Sequence, residues 1–374
     1  MNKDQIAKEK ARLKALFGEN KELKENPDQE HSVKCFNGVF IPKIDGDVRI
    51  FKGIPFALPP IGENRWKKAE PVLSSNKIYE AYYNGKSPIQ TVIDSERASY
   101  YPQSEDCLYL NVWVNDACKD DNKPIMVFIH GGAYGWGGTA DPLYDGLNFI
   151  KLHPEVILIT IAYRVGIFGF IDLSYLKESE GYEDAPNLGI YDQIEALRWI
   201  NKNGKAFGGD INNVTIFGES AGGGSVSILP LVKEAKGLFH RVIAESGSLA
   251  LTYAKDECKA FTDKLIKASG TDSLKELLKL STEEIAKLNE GLNESNNFPM
   301  RDGRLIPLEP YEPYLNGITK DIDMIMGTNA NEIYYWIGEL GGLFNYSAGM
   351  PFKYKEDISK VNKEDLAFIK AFIK

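Results

Sequence analysis

The chain contains 374 residues, of which 43% are hydrophobic, and its formal net charge is −9 at neutral pH. That length can bury the core of one large α/β domain or of two ordinary ones. The acidic balance and the lack of a clustered basic excess exclude a nucleic-acid-binding surface. No run reaches the roughly 18 apolar residues of a membrane span, and the charged N-terminus lacks the apolar segment of a secretion signal. We therefore expect a cytoplasmic protein with no nucleic-acid and no membrane partner.

Four cysteines lie far apart along the sequence, without the spacing of metal ligands: Cys35, Cys107, Cys118 and Cys258. Such a pattern indicates reduced thiols in a reducing compartment. Nothing else in the sequence suggests a metal or an organic cofactor, and we expect neither.

Residues 1–30 form a charged N-terminal extension, and residues 31–374 have the composition of a globular domain. In the extension Ile6, Leu13, Leu16 and Phe17 recur with helical spacing, and Gly18 follows them as a helix stop. This pattern predicts an amphipathic helix whose apolar stripe packs on the body of the protein.

Apolar runs bounded by turn residues predict strands at residues 33–40, 48–57, 108–114, 125–129, 156–163, 214–217, 241–245 and 321–327. Helical spacing marks Asp192–Asn203, a stretch rich in lysine, glutamate and leucine at about 254–293, and a last helix at Asn362–Lys374. Strands that alternate with helices imply an α/β fold with a mostly parallel central sheet and helices on both faces.

Ser220 is the candidate nucleophile. The strand at 214–217 runs directly into Gly218-Glu219-Ser220-Ala221-Gly222, which has the pattern G-x-S-x-G. The flanking glycines let the chain reverse from strand to helix, where a Cβ would collide with neighbouring backbone. The turn exposes the hydroxyl, and the next helix aims its first N–H groups and its dipole at whatever is bound to the serine. This arrangement suits acyl transfer.

Acyl transfer also needs hydrogen-bond donors for the oxyanion that develops in the transition state, each typically worth about 3 kcal/mol. Gly131 and Gly132 follow a central strand and lack side chains, so their N–H groups can approach such a charge, and Ala221 offers another N–H beside the serine. Without Ser220, the segment that starts at His130 would be interpreted as an ordinary strand-ending turn.

Five segments carry more specific patterns: EDCLYLNV at 105–112, YRVGIFGF at 163–170, NLGIYD at 187–192, FGGD at 207–210 and FGESAGG at 217–223. In this order they resemble the signatures of the type-B carboxylesterases, a family that includes the cholinesterases and many bacterial esterases. The resemblance covers about residues 33–335. It implies the α/β-hydrolase fold and a serine esterase acting on small-molecule esters.

The resemblance also implies a role for each site residue. Ser220 would be the nucleophile, the N–H groups of Gly131, Gly132 and Ala221 would form the oxyanion hole, and Glu332, in the stretch GTNANE at 327–332, would be the acid of the triad.

Two further residues are expected to support this machinery. Glu219 directly precedes the candidate nucleophile, and Ser246 matches a serine that the family places near the acid, although a structural turn explains Ser246 equally well. Two pairs match structural ion pairs of the family: Arg65 with Glu105, and Arg164 with Asp192.

Two departures from the family pattern bear on the compartment and on the substrate that we expect. Cys107 has no earlier partner, because the matching stretch reads Lys86-Ser87-Pro88, and this supports a reducing compartment. The segment 87–106 lacks the tryptophan that cholinesterases place against a quaternary ammonium, so recognition of choline is not supported. Tyr100 and Tyr101 in this segment either line an acyl or alcohol pocket or cover the core.

The third departure concerns the general base. In this fold the triad runs serine, acid, histidine along the chain, yet no histidine follows Glu332. The four histidines, His31, His130, His153 and His240, all precede it, and each has a structural interpretation. The apolar face of the predicted last helix also has no later partner. We therefore expect the N-terminal portion of a longer enzyme, without the family's last strand and histidine loop. Truncation of the chain and division of the enzyme into two polypeptides, the second supplying the base, both remain open.

Three functions remain open from the sequence. The first is a serine carboxylesterase whose base lies outside this chain, and a peptidase or amidase would share the same acyl chemistry. The second is a non-catalytic cholinesterase-like binding module. The third is a catalytically inactive fragment, which the missing histidine permits.

Overall fold

The protein is built around an eight-stranded mixed sheet, described here from a computed structural model. The structure describes residues 17–90, 102–119, 122–291, 298–330 and Glu332. The expectations for the N-terminal helix up to residue 16, for Tyr100 and Tyr101, and for the helix at 362–374 fall outside these residues.

The strands, numbered along the chain, are β1 (Glu22–Leu23), β2 (Val33–Cys35), β3 (Gly38–Ile41), β4 (Lys43–Asp45), β5 (Val48–Pro55), β6 (Ile78–Glu80), β7 (Ser87–Pro88), β8 (Gln103–Ser104), β9 (Tyr109–Asn115), β10 (Lys123–Ile129), β11 (Ile157–Ile161), β12 (Gly209–Glu219), β13 (Arg241–Glu245) and β14 (Asp323–Gly327). The α-helices of the described residues are α1 (Leu147–Leu152), α2 (Gly166–Gly169), α3 (Leu188–Asn203), α4 (Ala221–Ile228), α5 (Lys255–Ser269), α6 (Leu274–Leu277), α7 (Thr282–Gly291) and α8 (Tyr311–Leu315).

The large sheet has the order β14-β13-β12-β10-β11-β9-β5-β4. Pairing is parallel from β14 to β11 and antiparallel from β11 to β4. β10 (KPIMVFI) and β11 (ILITI) are rich in β-branched residues and pair in register from Ile125 opposite Ile157 to Ile129 opposite Ile161. Two smaller sheets, β1-β6-β3-β2 and β7-β8, lie outside it.

Helices cover both faces of this sheet. Because side chains alternate across a strand, Val112 and Val114 of β9 join the core cluster that contains α3 and α4. Trp113 between them joins a separate cluster with Ile150 of α1. The mostly parallel α/β architecture predicted from the sequence is therefore confirmed.

Two helical regions differ in their limits from the sequence prediction. α3 begins at Leu188, about one turn before the predicted start, and contains Gly189. A Cβ on Gly189 would lie 2.3 Å from a ring atom of Phe170, so this glycine allows close packing and does not break the helix. The stretch at 254–293 divides into three helices, because Gly270 ends α5 in the left-handed region and Ser273 caps α6.

The described part of the N-terminal extension is joined to the body of the protein. β1 pairs with β6, and the Asn20 side chain hydrogen-bonds the backbone of Lys52, Tyr82 and Tyr83. The four cysteines are free thiols, and burial raises the pKa of Cys35 to about 12. Among the described residues no helix is long and apolar enough to cross a bilayer.

The two ion pairs expected from the sequence are present and buried. Arg65 binds Glu105 through two hydrogen bonds of 2.7 and 2.6 Å. Arg164 binds both carboxylate oxygens of Asp192 at 2.8 and 2.7 Å, and its own backbone N–H also donates to Asp192 at 3.0 Å. This second pair ties the segment after β11 to α3.

We expect Asp192→Asn to lower the free energy of unfolding by about 3–5 kcal/mol, because it leaves the buried Arg164 cation without its counter-charge. Asp116→Asn is the matched control: Arg49 binds Asp116 with the same two-bond geometry, but the Asp116 side chain is 44% exposed. The control should cost less than about 1 kcal/mol. Urea unfolding of both variants measures the difference, and equal losses would contradict the structural role assigned to the buried pair.

Candidate active site

Ser220 lies at the junction between β12 and α4, in a strained backbone conformation. Its φ is 59° and its ψ is −119°, which costs a residue with a Cβ of the order of 1–3 kcal/mol. Two backbone hydrogen bonds of 2.8 Å hold the junction: the Ser220 N–H donates to the Glu245 carbonyl, and the Gly224 N–H donates to the Ser220 carbonyl. The predicted strand-turn-helix around the serine is present.

The glycines that flank Ser220 are required by contact with β10. A Cβ on Gly222 would lie 2.0 Å from the carbonyl oxygen of Ile129, and one on Gly218 would lie 2.6 Å from the same atom. Both distances are shorter than real Cβ atoms show, and the neighbour in each case is rigid backbone. The end of β10 is thereby held against the serine turn.

The segment after β10 turns back beside Ser220. A Cβ on Gly131 would lie 3.3 Å from the Ser220 Cβ and 2.7 Å from the Glu219 carbonyl, so the turn packs directly on the candidate nucleophile. Gly132 has a φ of +101°, and the N–H groups of Gly135 and Trp136 donate to its carbonyl at 2.9 and 3.0 Å. We call residues 130–137 the glycine turn.

Several N–H groups in this region donate to no acceptor among the described residues. Outside helices and strands, no backbone hydrogen bond of the described residues is donated by Gly131, Gly132 or Ala133. Ala221 is the first residue of α4, so its N–H has no acceptor within the helix. Ala133 was missed by the sequence analysis, because its left-handed φ of 49° is not a property that an alanine reveals in a sequence.

Glu332 and Ser246 lie together beyond the ends of β14 and β13. The Ser246 hydroxyl and the Asn329 backbone N–H, the latter at 2.7 Å, both donate to the same carboxylate oxygen of Glu332. These hydrogen bonds, that of Ser246 first, lower the pKa of Glu332 below its usual value. Ser246 is fixed in turn because its own N–H donates to the Gly327 carbonyl at 2.8 Å.

Glu219 is a second carboxylate close to the glycine turn. One of its carboxylate oxygens lies 3.2 Å from the position that a Cβ on Gly131 would occupy. Partial burial against this turn raises the pKa of Glu219, and the negative charges of Glu332 and Glu245 raise it further. The site therefore contains a low-pKa carboxylate and a raised-pKa carboxylate that interact electrostatically.

None of the four histidines is hydrogen-bonded to Ser220 or Glu332 within the described part of the chain. His31 binds Asp28, His153 binds Glu155, His240 accepts from the Val214 N–H, and His130 binds the carbonyl of Gly131. Among the same residues no group of three histidine, cysteine or acidic side chains is arranged to hold a metal. The structure thus brings together a serine, free N–H groups and an oriented carboxylate.

The profile of the Carboxylesterase family matches residues 37–366. The chain belongs to the carboxylesterase family. It is 38% identical over 302 residues to the para-nitrobenzyl esterase of Bacillus subtilis, across 78% of this chain and 60% of that protein. It is 34% identical over 344 residues to the acetylcholinesterase of Danio rerio, across 84% of this chain and 51% of that protein. The chain therefore spans between about half and 60% of the length of these relatives.

Solved structures agree with the assignment. The carboxylesterase EST55 of Geobacillus stearothermophilus, crystallised at pH 6.2, superposes with a TM-score of 0.78 at 33% identity, covering 91% of this chain and 67% of that one. A PNB esterase superposes with a TM-score of 0.75 at 35% identity, covering 83% of this chain and 66% of that one. The family resemblance and the α/β-hydrolase fold predicted from the sequence are confirmed.

Gly222→Ala should destabilise the protein by roughly 1–3 kcal/mol or more, because the new methyl group overlaps the Ile129 carbonyl and must separate β10 from the serine turn. Gly327→Ala is the control, since no atom of the described residues lies within 4 Å of a Cβ there. Thermal unfolding compares the two variants. A Gly222→Ala protein as stable as the Gly327→Ala protein would show that the two backbones are not in contact.

Ser246→Ala should raise the pKa of Glu332, because it removes the hydrogen bond that contributes most to the low value. A carboxyl group with a lowered native pKa stabilises the fold above its unfolded pKa and loses that contribution as the pH falls through its native pKa. The wild type should therefore be more stable than the variant at neutral pH, and this difference in the free energy of unfolding should disappear on acidification below about pH 4. Carbon-13 NMR titration of the glutamate carboxyl groups measures the pKa directly, and an unchanged value would refute the contact.

Proposed function

We propose that this protein hydrolyses small-molecule carboxylic esters through an acyl-enzyme on Ser220. The observation that carries the proposal is the contact between the strained serine turn and the glycine turn, with Gly131 packed on the Ser220 Cβ. This contact places the serine hydroxyl beside several backbone N–H groups that donate to no other acceptor in the described part of the chain. Membership of the carboxylesterase family supports the same chemistry.

In the proposed mechanism the Ser220 oxygen attacks the ester carbonyl carbon, and its proton passes to a general base. The negative charge that develops on the carbonyl oxygen is stabilised by the N–H groups of Gly131, Gly132 and Ala221, joined by that of Ala133. The intermediate collapses, and the alcohol leaves with the proton held by the base. Water, deprotonated by the same base, then releases the acid and restores the serine.

The base in this proposal is a histidine that Glu332 orients. No histidine follows Glu332 in the sequence, and the histidines before it are bonded elsewhere. We therefore propose that the imidazole comes from a segment other than residues 1–374, on the same polypeptide or on a second one. Within the described residues β14 is the edge strand nearest Glu332, and its Ile325 and Met326 side chains are 67% and 52% exposed, which suits the addition of a further strand.

We also propose that the protein is located in the cytoplasm. It rests on the free thiols and on the lone Cys107, which is buried and for which burial raises the pKa strongly. A reducing compartment keeps such a thiol unpaired.

A catalytically inactive cholinesterase-like fragment or binding module is the alternative. One observation favours it, namely that no histidine of the described residues is bonded to Ser220. The two proposals differ in whether Ser220 reacts with electrophiles that require an activated serine.

Labelling with a fluorophosphonate, followed by intact and native mass spectrometry, separates the two proposals. The esterase proposal predicts one adduct, located on Ser220 by peptide mapping and lost in Ser220→Ala. The adduct should be kept in Ser248→Ala, the control, because among the described residues the Ser248 hydroxyl only accepts a hydrogen bond from the nearby Ala250 N–H at 3.2 Å. It also predicts a native mass above the 41.8 kDa of residues 1–374, because the segment that carries the histidine must be present. Absence of an adduct from Ser220 would support the catalytically inactive alternative.

A further inference from the structure

The His130 side chain is buried and bonded to the peptide group that follows it. Its Nδ1 lies 2.8 Å from the carbonyl oxygen of Gly131, and the residue is only 1% exposed. Its ring stacks on Tyr163 with centroids 4.3 Å apart and planes inclined by 14°. The Tyr163 hydroxyl also donates to the His130 carbonyl at 2.8 Å, so ring and backbone are both fixed.

The partner identifies the tautomer. A carbonyl oxygen only accepts hydrogen bonds, so the proton must lie on Nδ1. Nε2 has no partner among the described residues, and as a deprotonated nitrogen it leaves no donor unsatisfied. Burial lowers the pKa of His130 to about 4, so the ring is neutral at physiological pH.

Within the described part of the chain, no other hydrogen bond to the Gly131–Gly132 peptide group is present. In a trans peptide the carbonyl of Gly131 and the N–H of Gly132 point in opposite directions. Glycine permits either orientation of the peptide plane, because it populates positive and negative φ about equally. Whatever holds the Gly131 carbonyl therefore also decides where the Gly132 N–H points.

We propose that His130 is a positioning residue, whose Nδ1–H holds the Gly131 carbonyl and thereby aims the Gly132 N–H at the oxyanion. The inference rests on the proposed esterase function, in which the Gly132 N–H is a donor. His130 contacts no reacting atom in this proposal and is not the general base.

The hydrogen bond is protected by the far end of the glycine turn. A Cβ on Gly137 would lie 2.4 Å from the His130 Nδ1 and 2.8 Å from the Gly131 oxygen, so this backbone covers the bond. Gly137 is held in place by Gln90, whose amide donates to the Gly137 carbonyl at 2.8 Å and accepts from its N–H at 2.9 Å. A hydrogen bond that is shielded from water in this way is electrostatically stronger than an exposed one.

Two substitutions separate the hydrogen bond from the packing. His130→Asn keeps an N–H donor near the position of Nδ1 but removes the ring. His130→Phe keeps a ring on Tyr163 but removes the donor. The same pair at His153, which lies on the surface with its side chain 50% exposed, is the matched control.

We expect His130→Phe to lower kcat for a 4-nitrophenyl ester roughly 10- to 100-fold, a fraction of the loss of a whole oxyanion donor, with KM changed less than about threefold. His130→Asn should recover kcat to within about fivefold of the wild type, although it is the less well packed variant. Equal or greater activity of the Phe variant would assign His130 a packing role and overturn the proposal.

NMR provides a readout that does not depend on activity. In the wild type, the His130 ring should remain the Nδ1–H tautomer from pH 5 to pH 9, and the Gly132 amide signal should shift in His130→Phe but not in His130→Asn. An unchanged Gly132 signal in His130→Phe, or a proton on Nε2, would overturn the inference. If fluorophosphonate leaves the wild-type Ser220 unlabelled while these signals behave as expected, the esterase proposal fails and the positioning of the peptide stands.

Discussion

The contact between the ends of β10 and β12 is the constraint on which the rest of the site depends. The carbonyl of Ile129 occupies the space that a side chain on Gly218 or Gly222 would need. Because the two backbones meet there, the turn after β10 lies against the turn after β12, and Gly131 reaches the Ser220 Cβ. Parallel pairing of β10 with β12 makes this possible, since both strands end at the same edge of the sheet.

The carboxylate groups of Glu219 and Glu332 lie at the same edge of the sheet. β13 and β14 continue the parallel order, so Ser246 and Glu332 leave the sheet beside Ser220. Hydrogen bonds keep Glu332 ionised, whereas Glu219, pressed against the glycine turn, is less readily ionised. In the proposed mechanism the general base becomes an imidazolium, whose positive charge these carboxylates would stabilise. The electrostatics of this region are in keeping with that proposal.

Much of this arrangement can be predicted from the sequence. The features that cannot be predicted depend on contacts that form only in the folded chain. Strong β-branched runs such as ILITI predicted their strands, and the glycines around Ser220 predicted the turn, because backbone contact leaves glycine as the only residue that fits. Glu332 was a different case: its assignment came from the family resemblance, since a carboxylate in a loop has no local pattern.

Features that depend on tertiary contact were missed. The start of α3 was misplaced because Gly189 is explained by its contact with Phe170, which is distant in sequence. The free N–H of Ala133 and the bond between His130 and the Gly131 carbonyl are properties of the folded turn, and the sequence gives no sign of either.

The most direct test of the central claim is to trap the acyl-enzyme. The protein is mixed with 4-nitrophenyl acetate, quenched in acid at short times, digested and mapped by mass spectrometry. The account predicts one acetyl group per active site, on the peptide that contains Ser220, and its absence from the Ser220→Ala protein. Acetylation that is unchanged by Ser220→Ala, or no acetyl group on Ser220 at any time, would contradict the assignment of this serine as the nucleophile.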